Sequence, residues 1–279
     1  MARIQVDRGR HAAAQEDARH RAQWRGLDNV DVRGAAALGI AVANVPDYGT
    51  EEVADHAIAL ALALIRRLRP LMEDVARGLW KWDTAVRCRR LRGQVFGIMG
   101  CGRIGTAAAL RAKALGFDVR FYDPYVPSGY EKAIGVRREQ SLRALIQAAD
   151  VLSIHTPLTD ETRHLIDTPQ LREMKPEALI VNTARGAVIR HAAIAEALKE
   201  GWIAGAGLDV LENEPEGLEL AGQHPNCLIT PHSAFYSQES MEELRRLSAV
   251  VAREALEGRF INVVNGVTMP AAMAVDTGA

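Results

Sequence analysis

The sequence predicts an α/β protein built on a parallel β-sheet, and two observations carry this prediction. From Gln94 onward, short apolar runs alternate with amphipathic segments of helical length. A glycine-rich turn with the spacing Gly-x-Gly-x-x-Gly joins the first apolar run to the first amphipathic segment. Alternation of strands and helices implies right-handed βαβ units, which place successive strands parallel in one sheet.

The apolar runs are the predicted strands, and the amphipathic segments are the predicted helices. Strands are predicted at residues 95–99, 119–122, 151–154, 178–181, 204–210 and 227–230, and helices at residues 104–115, 142–149, 192–199 and 239–256. Ahead of these elements, residues 39–46 predict one more short buried strand. Thr50 then caps a predicted helix that has Glu51 and Glu52 in its first turn and continues as far as Leu71.

The composition of the 279 residues is that of a globular protein and excludes several classes of partner. A net charge of -1 gives no electrostatic reason to expect nucleic acid or an anionic membrane as a direct partner. The apolar stretch at residues 57–65 is too short to span a bilayer, and the N-terminus shows no secretory signal. The three cysteines have neither disulfide nor metal-ligand spacing, so we expect no metal and a cytoplasmic location.

Residues 1–25 differ in composition from the rest of the chain. They contain six arginines among acidic side chains and few large apolar residues, without a convincing helical or strand period. This composition favours a frayed tail, because such a segment cannot bury enough apolar surface to fold. A basic arm that binds a partner is the alternative, which the mixed charge disfavours.

The glycine turn has the sequence context of a dinucleotide-binding site. Gly100 permits the tight turn, Gly102 lets the backbone approach a pyrophosphate, and Gly105 permits close packing of helix and strand. The helix that begins at Arg103 and Ile104 would direct free backbone N–H groups at the phosphates. We therefore predict a Rossmann-type α/β fold with a doubly wound parallel sheet, with an unrelated α/β fold that contains a glycine turn as the alternative.

Asp123 follows the next predicted strand, about 20 residues after the glycine turn. An acid at this position hydrogen-bonds the 2′-hydroxyl of the cofactor ribose. Pro124 follows it, and no arginine comes directly after Asp123 to hold a 2′-phosphate. The sequence therefore predicts NAD rather than NADP as the cofactor.

Three further positions carry side chains that could act in catalysis. Arg185, Glu214 and His232 each follow a predicted strand, at the edge where open α/β sheets place ligands and catalytic groups. Taken one at a time, each also has a structural interpretation, as an ion-pair arginine, a solvated loop acid and a turn histidine.

In combination, the motifs resemble those of the D-isomer-specific 2-hydroxyacid dehydrogenases. The resemblance extends over about residues 26–262 and rests on Gly100-x-Gly-x-x-Gly, Asn182-Thr-Ala-Arg-Gly, Asp209-Val-x-Glu-x-Glu-Pro and Thr230-Pro-His. Within the family, Phe121-Tyr-Asp-Pro-Tyr and His232-Ser-Ala-Phe-Tyr-Ser resemble the C-terminal-binding protein branch. A phosphoglycerate-dehydrogenase-like member is a nearby alternative.

The resemblance implies a catalytic role for each of the three positions. His232 would be the acid/base that protonates the substrate carbonyl oxygen as hydride arrives from the nicotinamide. Glu214 would pair with the imidazole and favour its charged form. Arg185 would hold the substrate carbonyl or carboxylate and offset the negative charge that develops on it.

The resemblance also implies cofactor contacts beyond the glycine turn. Contacts at the nicotinamide end are implied for Thr183, Ala184, Asp209 and Phe235, with Asp209 at the carboxamide. Contacts on the adenosine side are implied for Thr156, Pro157 and Thr162.

The front of the chain departs from the family pattern. The family's substrate domain is discontinuous, and a flavodoxin-like βα array normally precedes the segment that begins at Gly26, where this chain has only 25 residues. The family's glycine-rich turn for the substrate carboxylate is replaced by Ala-Gln-Trp-Arg-Gly at residues 22–26. We therefore expect a truncated flavodoxin-like substrate domain from residues 1–70 and 238–279, and an NAD-binding domain at residues 71–237.

These observations leave three functions open. The first is an NAD-dependent dehydrogenase that transfers hydride between NAD(H) and a D-2-hydroxy acid or 2-keto acid, as a homodimer. The second is a catalytically impaired NAD(H)-binding regulatory dimer similar to the family's corepressor members, which the altered substrate turn favours. The third is a truncated fragment without function.

Overall fold

The computed structural model of the chain describes residues 30–86 and 88–268. Residue contacts divide the chain into two compact units, Thr50–Phe235 and Met1–Gly49 with Tyr236–Ala279. The predicted tail at residues 1–25 and the altered substrate turn at residues 22–26 lie outside the described residues. The predicted domain boundaries at residues 70 and 237 stay a prediction.

The larger unit is built on a seven-stranded sheet in which every pair of neighbouring strands is parallel. The strands are β1 (Val95–Met99), β2 (Asp118–Tyr122), β3 (Arg137–Arg138), β4 (Val151–Ile154), β5 (Leu179–Asn182), β6 (Gly205–Leu208) and β7 (Cys227–Ile229). Their order in the sheet is β3-β2-β1-β4-β5-β6-β7. The strand order therefore reverses between β1 and β4, and this switch point is where open α/β sheets bind ligands. The predicted Rossmann-type fold is confirmed.

Helices connect the strands and flank the sheet. In chain order they are α1 (Val32–Ala37), α2 (Thr50–Ile65), α3 (Leu68–Ala76), α4 (Arg103–Ala114), α5 (Tyr130–Ile134), α6 (Leu142–Ala148), α7 (Thr168–Arg172), α8 (His191–Glu200), α9 (Glu219–Gln223) and α10 (Gln238–Leu256), with 3-10 turns at Asp83–Ala85 and Gly186–Val188. No helix of the described residues is long and apolar enough to cross a membrane.

Strand side chains alternate between two hydrophobic clusters, one on each face of the sheet. Ile98 and Val181 belong to the cluster that includes α2 and α4. Met99 and Ile180, their neighbours in sequence, belong to the cluster that includes α6 and α8. Burial on both faces explains why these strands are continuous apolar runs in the sequence.

Helix α2 is apolar on nearly all sides because it lies against the sheet and α4. Glycine at position 207 of β6 permits this approach, since an added Cβ would be 3.0 Å from the Cβ of Leu60. The prediction that the helix continues to Leu71 is wrong: α2 ends at Ile65, and Arg67 adopts a left-handed φ of 52° before α3 begins. Pro70 explains the break, because its ring would clash with the carbonyl group four residues earlier in a continuous helix.

Two short elements also differ from the sequence predictions. Residues 39–46 do not form the predicted strand: in the part of the chain that the structure describes they form isolated bridges, such as the antiparallel bridge between Ala43 and Val263. Strand β3 was not predicted, because its residues Arg137 and Arg138 contain no apolar run, and the strand exists only by pairing with β2. In the smaller unit, Ser237 caps α10 by accepting a hydrogen bond from the Ser240 amide at 2.8 Å.

Candidate active site

The glycine turn between β1 and α4 brings two backbone segments together without room for side chains. Gly100 has a φ of 88°, and a Cβ added to it would lie 2.8 Å from Cγ2 of Thr156. A Cβ added to Gly105 would lie 2.0 Å from the carbonyl oxygen of Gly100. Both glycines are therefore required by the packing of the turn against α4 and against the segment that follows β4.

Gly102 is required for a different reason. It precedes the first residue of α4, where the helix has N–H groups without partners inside the helix. A Cβ added to Gly102 would meet none of the described residues within 4 Å. The space beside Gly102 is therefore open at the positive end of a helix, as a site for a pyrophosphate requires.

Asp123 lies at the end of β2 with its carboxylate turned toward the glycine turn. Oδ2 accepts a hydrogen bond from the Cys101 amide at 2.8 Å, and Oδ1 accepts one from the Tyr125 amide at 2.8 Å. An ionised carboxylate accepts about four hydrogen bonds, so Asp123 retains capacity for ribose hydroxyls. Burial raises the pKa of the neighbouring Cys101 thiol to about 11, so the thiol stays protonated and unreactive at neutral pH.

Three buried polar atoms at the carboxyl ends of β4 and β5 have no hydrogen-bond partner among the described residues. They are Nδ1 of His155, Oγ1 of Thr156 and Oγ1 of Thr183. Burial lowers the pKa of His155 to about 4, so its imidazole is neutral at physiological pH. Hydroxyl groups that are buried and unpaired are costly unless a ligand satisfies them. Together with the open space at Gly102 and the acid at Asp123, they fit a bound dinucleotide.

The predicted adenosine-side loop is closed by its own hydrogen bonds. Oγ1 of Thr162 donates to the Pro157 carbonyl oxygen at 2.6 Å and accepts from the Thr159 amide at 2.8 Å. Thr162 therefore shapes this loop, and its contact with a cofactor stays a prediction, as do the contacts of the other predicted site residues.

Asp209 organises the turn that carries His232. Its Oδ1 accepts hydrogen bonds from Oγ1 of Thr230 at 2.6 Å and from the Ser233 amide at 2.9 Å, and its Oδ2 accepts one from the Ala234 amide at 3.0 Å. Its main-chain oxygen accepts from the His232 amide at 2.8 Å. The carboxylate is buried and already has three donors from the protein, so any carboxamide contact would be an additional one.

Glu214 and His232 form the pair predicted from the sequence. Nδ1 of His232 lies 2.9 Å from Oε2 and 3.1 Å from Oε1 of Glu214. A carboxylate can only accept, so this contact places the proton on Nδ1 and leaves Nε2 without one in the neutral imidazole. The backbone of His232 has a φ of 54°, so the surrounding hydrogen bonds hold the turn in a conformation unusual for a residue with a side chain.

Arg185 lies in the loop after β5, which Asn182 braces from within. Nδ2 of Asn182 donates to the Arg185 carbonyl oxygen at 2.9 Å, and Oδ1 of Asn182 accepts from the Ala184 amide at 3.0 Å. A Cβ at Gly186 would lie 1.9 Å from the Leu211 carbonyl oxygen. The Arg185 loop and the loop that carries Glu214 are therefore in direct backbone contact. Phe235, at the end of the histidine turn, is buried.

Sequence reasoning assigned no role to His56, which is the last polar residue of α2 before its apolar second half. Nε2 of His56 lies 2.9 Å from Oγ1 of Thr230, whose own proton goes to Asp209. Nε2 therefore donates to Thr230, and α2 braces the histidine turn from behind. Glu212 was also unassigned, although it belongs to the same motif as Glu214.

Comparison with known proteins agrees with this geometry. Residues 58–234 match the family model described as D-isomer specific 2-hydroxyacid dehydrogenase, NAD binding domain. This match covers more than half of the chain and confirms NAD as the cofactor that the sequence predicts.

Two relatives with different described functions have similar sequence identity to this chain. A glyoxylate reductase of Korarchaeum cryptofilum is 41% identical over 80% of this chain and 68% of its own length. C-terminal-binding protein 1 of Caenorhabditis elegans is 39% identical over 84% of this chain, which spans only 33% of that relative's length.

Solved structures match the fold with good agreement. A glyoxylate reductase from Paecilomyes thermophila has 32% identity and a TM-score of 0.80, over 86% of this chain and 73% of that one. D-lactate dehydrogenase from Aquifex aeolicus, complexed with NAD and lactic acid, has 32% identity and a TM-score of 0.79, over 84% of this chain and 74% of that one. The turn geometry, the Glu214–His232 pair and these matches lead to one conclusion: the chain belongs to the D-isomer specific 2-hydroxyacid dehydrogenase family.

Proposed function

We propose that this protein is an NAD-dependent dehydrogenase that interconverts a D-2-hydroxy acid and the corresponding 2-keto acid. The observation that carries the proposal is the hydrogen bond of 2.9 Å between Nδ1 of His232 and Glu214. It orients the imidazole and makes Nε2 available for proton transfer, because the described residues contribute no hydrogen bond to that atom. Glyoxylate reductase and D-lactate dehydrogenase among the matches support a small 2-keto acid as substrate.

The side chains of the site divide the reaction between them. In the direction of reduction, Nε2 of His232 donates a proton to the carbonyl oxygen, and Glu214 stabilises the imidazolium before that transfer. Arg185 binds the substrate carboxylate or carbonyl and offsets the charge that develops on the oxygen. When bound, NADH supplies the hydride that the carbonyl carbon accepts. The reaction consumes one 2-keto acid, one NADH and one proton, and it yields the hydroxy acid and NAD.

A screen of 2-keto acids tests this proposal. Glyoxylate, pyruvate and larger 2-keto acids would each be incubated with NADH and the protein, and NADH oxidation would be followed by absorbance. We expect turnover with at least one compound. Glyoxylate would give achiral glycolate, and pyruvate or a larger 2-keto acid should give the D-hydroxy acid, identified by chiral chromatography. Tight NADH binding in fluorescence titration without turnover on any compound would contradict the proposal.

That contrary outcome would favour the second candidate, an NAD(H)-binding regulatory module. Two observations favour it: the identity of 39% to C-terminal-binding protein 1, and the altered substrate turn at residues 22–26 of the sequence. Weak NADH binding together with aggregation would instead favour a fragment without function.

We retain the discontinuous substrate domain of residues 1–70 and 238–279, and a cytoplasmic location, as parts of the dehydrogenase proposal.

We also propose that the active form is a homodimer. The segment from α3 to residue 86 carries exposed large apolar side chains, and Trp80 and Trp82 are 90% and 79% exposed. Clustered exposed aromatic residues are typical of protein interfaces, and a second copy of the chain is the occupant we propose. Sedimentation equilibrium should show a dimer, and the double variant Trp80→Ser, Trp82→Ser should be a monomer that still binds NADH. A native protein that is monomeric at micromolar concentration would overturn this part.

A further inference from the structure

Glu212 is held between two segments that lie outside its own loop. Its Oε1 lies 2.5 Å from Nε2 of His164, and its Oε2 accepts a hydrogen bond from the His191 amide at 2.9 Å. His191 is the first residue of α8, so Glu212 also satisfies an N–H at a helix terminus. The two oxygens of one carboxylate therefore join the segment before α7 to the start of α8.

The loop that Glu212 anchors is the loop that carries Glu214. It follows β6 and continues to α9 with few backbone hydrogen bonds of its own, such as the one from the Glu216 amide to the Asn213 carbonyl oxygen at 2.8 Å. Oε1 of Glu214 accepts a hydrogen bond from the Leu211 amide at 3.2 Å, so the position of Glu214 depends on the residues around Glu212. Glu212 is therefore one of the contacts that fix the backbone from which Glu214 extends.

His164 is itself fixed at an unusual backbone conformation. Its φ is 52°, in the left-handed region that residues with side chains rarely adopt. Its amide donates to the Ala187 carbonyl oxygen at 2.8 Å. Two residues later, Ile166 forms an isolated parallel β-bridge with Ile189. The surrounding structure therefore holds the backbone so that the His164 imidazole reaches Glu212.

We propose that Glu212, held by His164, is a positioning residue that keeps Glu214 against His232. The expected effect on turnover rests on the proposed function, whereas the contacts that position Glu214 are present in the protein without substrate. Burial opposes ionisation of Glu212, yet the hydrogen bonds from the His191 amide and the His164 imidazole outweigh it and hold the pKa of Glu212 below its usual range. Glu212 is therefore a carboxylate at neutral pH and accepts both hydrogen bonds.

The test compares Glu212→Gln with the control Glu216→Gln. Both remove one negative charge from the same loop, but Glu216 is exposed and its side chain has no hydrogen bond or ion pair among the described residues. We expect Glu212→Gln to lower kcat by about 10- to 100-fold through misplacement of Glu214, with NADH affinity unchanged. Glu216→Gln should leave both quantities unchanged.

A spectroscopic readout separates positioning from a general loss of structure. The proton on Nδ1 of His232 should give a downfield NMR resonance because it is hydrogen-bonded to a carboxylate, and its absence in His232→Asn would assign it. We expect this resonance to move upfield or broaden in Glu212→Gln and to persist in Glu216→Gln. His164→Asn is a second variant that keeps the test valid if Glu212→Gln does not fold, because asparagine tolerates a left-handed backbone. We expect it to change the resonance in the same way.

The outcomes distinguish this inference from the proposed function. A native resonance and native kcat in both Glu212→Gln and His164→Asn would overturn the positioning role. A changed resonance in a protein that reduces no 2-keto acid would support the positioning role and contradict the dehydrogenase function.

Discussion

The two ends of the proposed cofactor cleft are built in opposite ways. The glycine turn is built on the absence of side chains, since Gly100 and Gly105 are packed against backbone and Gly102 faces open space. The histidine turn is built on side chains from separate elements, because Asp209, Glu214 and His56 all hold the segment that carries His232.

This difference predicts different consequences of substitution. The glycine turn is a local structure of six residues, so a change there should affect folding or cofactor binding. At the histidine turn, the proposed task of His232 and Glu214 is proton transfer rather than cofactor binding. Changes to these two residues should affect turnover first.

The largest effect is expected from Gly105→Ala. The new Cβ would lie 2.0 Å from the Gly100 carbonyl oxygen, which is backbone and cannot move aside without opening the turn. We expect a loss of about 3 kcal/mol or more in the free energy of unfolding, measured by urea denaturation, together with loss of NADH binding. Gly102→Ala is the matched control: it should keep native stability and lose NADH affinity alone. Equal stability of the two variants would contradict the distinction between the glycines.

The next largest effect is expected from His232→Asn, measured as turnover. Asparagine tolerates the left-handed backbone at this position better than alanine, so the change removes the acid/base with little strain. We expect kcat to fall by about 100- to 10,000-fold while NADH affinity in fluorescence titration stays native. Native turnover in this variant would exclude His232 as the proton donor.

A smaller effect is expected from Asp123→Asn, which tests cofactor choice. The amide retains one oxygen for the backbone donors but loses the charge that repels a 2′-phosphate. We expect the preference for NADH over NADPH to fall by about 10-fold in paired titrations. Asp118→Asn, at the other end of β2, should leave the preference unchanged. Comparable affinities for the two cofactors in the native protein would contradict the role assigned to Asp123.

An effect similar in free energy to that of Asp123→Asn is a pH dependence of stability that originates at His155. Burial lowers its pKa to about 4, whereas an unfolded histidine titrates near 6.5. The unfolded chain therefore binds more protons between these values, and stability is lost as the pH falls from about 6.5 toward 4. Between pH 7 and pH 5 the native protein should lose about 1–2 kcal/mol more than His155→Asn in urea denaturation. Parallel stability curves for the two proteins would show that His155 does not contribute.

The glycine turn was predictable because its signal is local: the glycines lie within six residues, and the acid at Asp123 follows the next predicted strand. The roles of Arg185, Glu214 and His232 were inferred only from the combination of motifs, since each residue alone also has a structural interpretation. His56, Glu212 and His164 were not predictable as members of the site. They act through partners far away in the sequence, and only the packing of α2, the segment before α7 and the loop after β6 brings those partners within hydrogen-bond distance.

The sequence by itself determined the parallel sheet, the dinucleotide-binding turn and NAD as the cofactor, because buried strands are apolar runs and the turn requires glycines at a fixed spacing. The sequence also contained the reason that α2 ends at Ile65, which is Pro70, but the helical composition up to Leu71 led to a longer predicted helix. Only the tertiary structure decided which further side chains meet: that Asp209 holds the histidine turn, that His56 contacts Thr230, and that Glu212 joins two distant segments. These contacts are non-local, so no pattern along the chain specifies them before the sheet has brought the strand ends together.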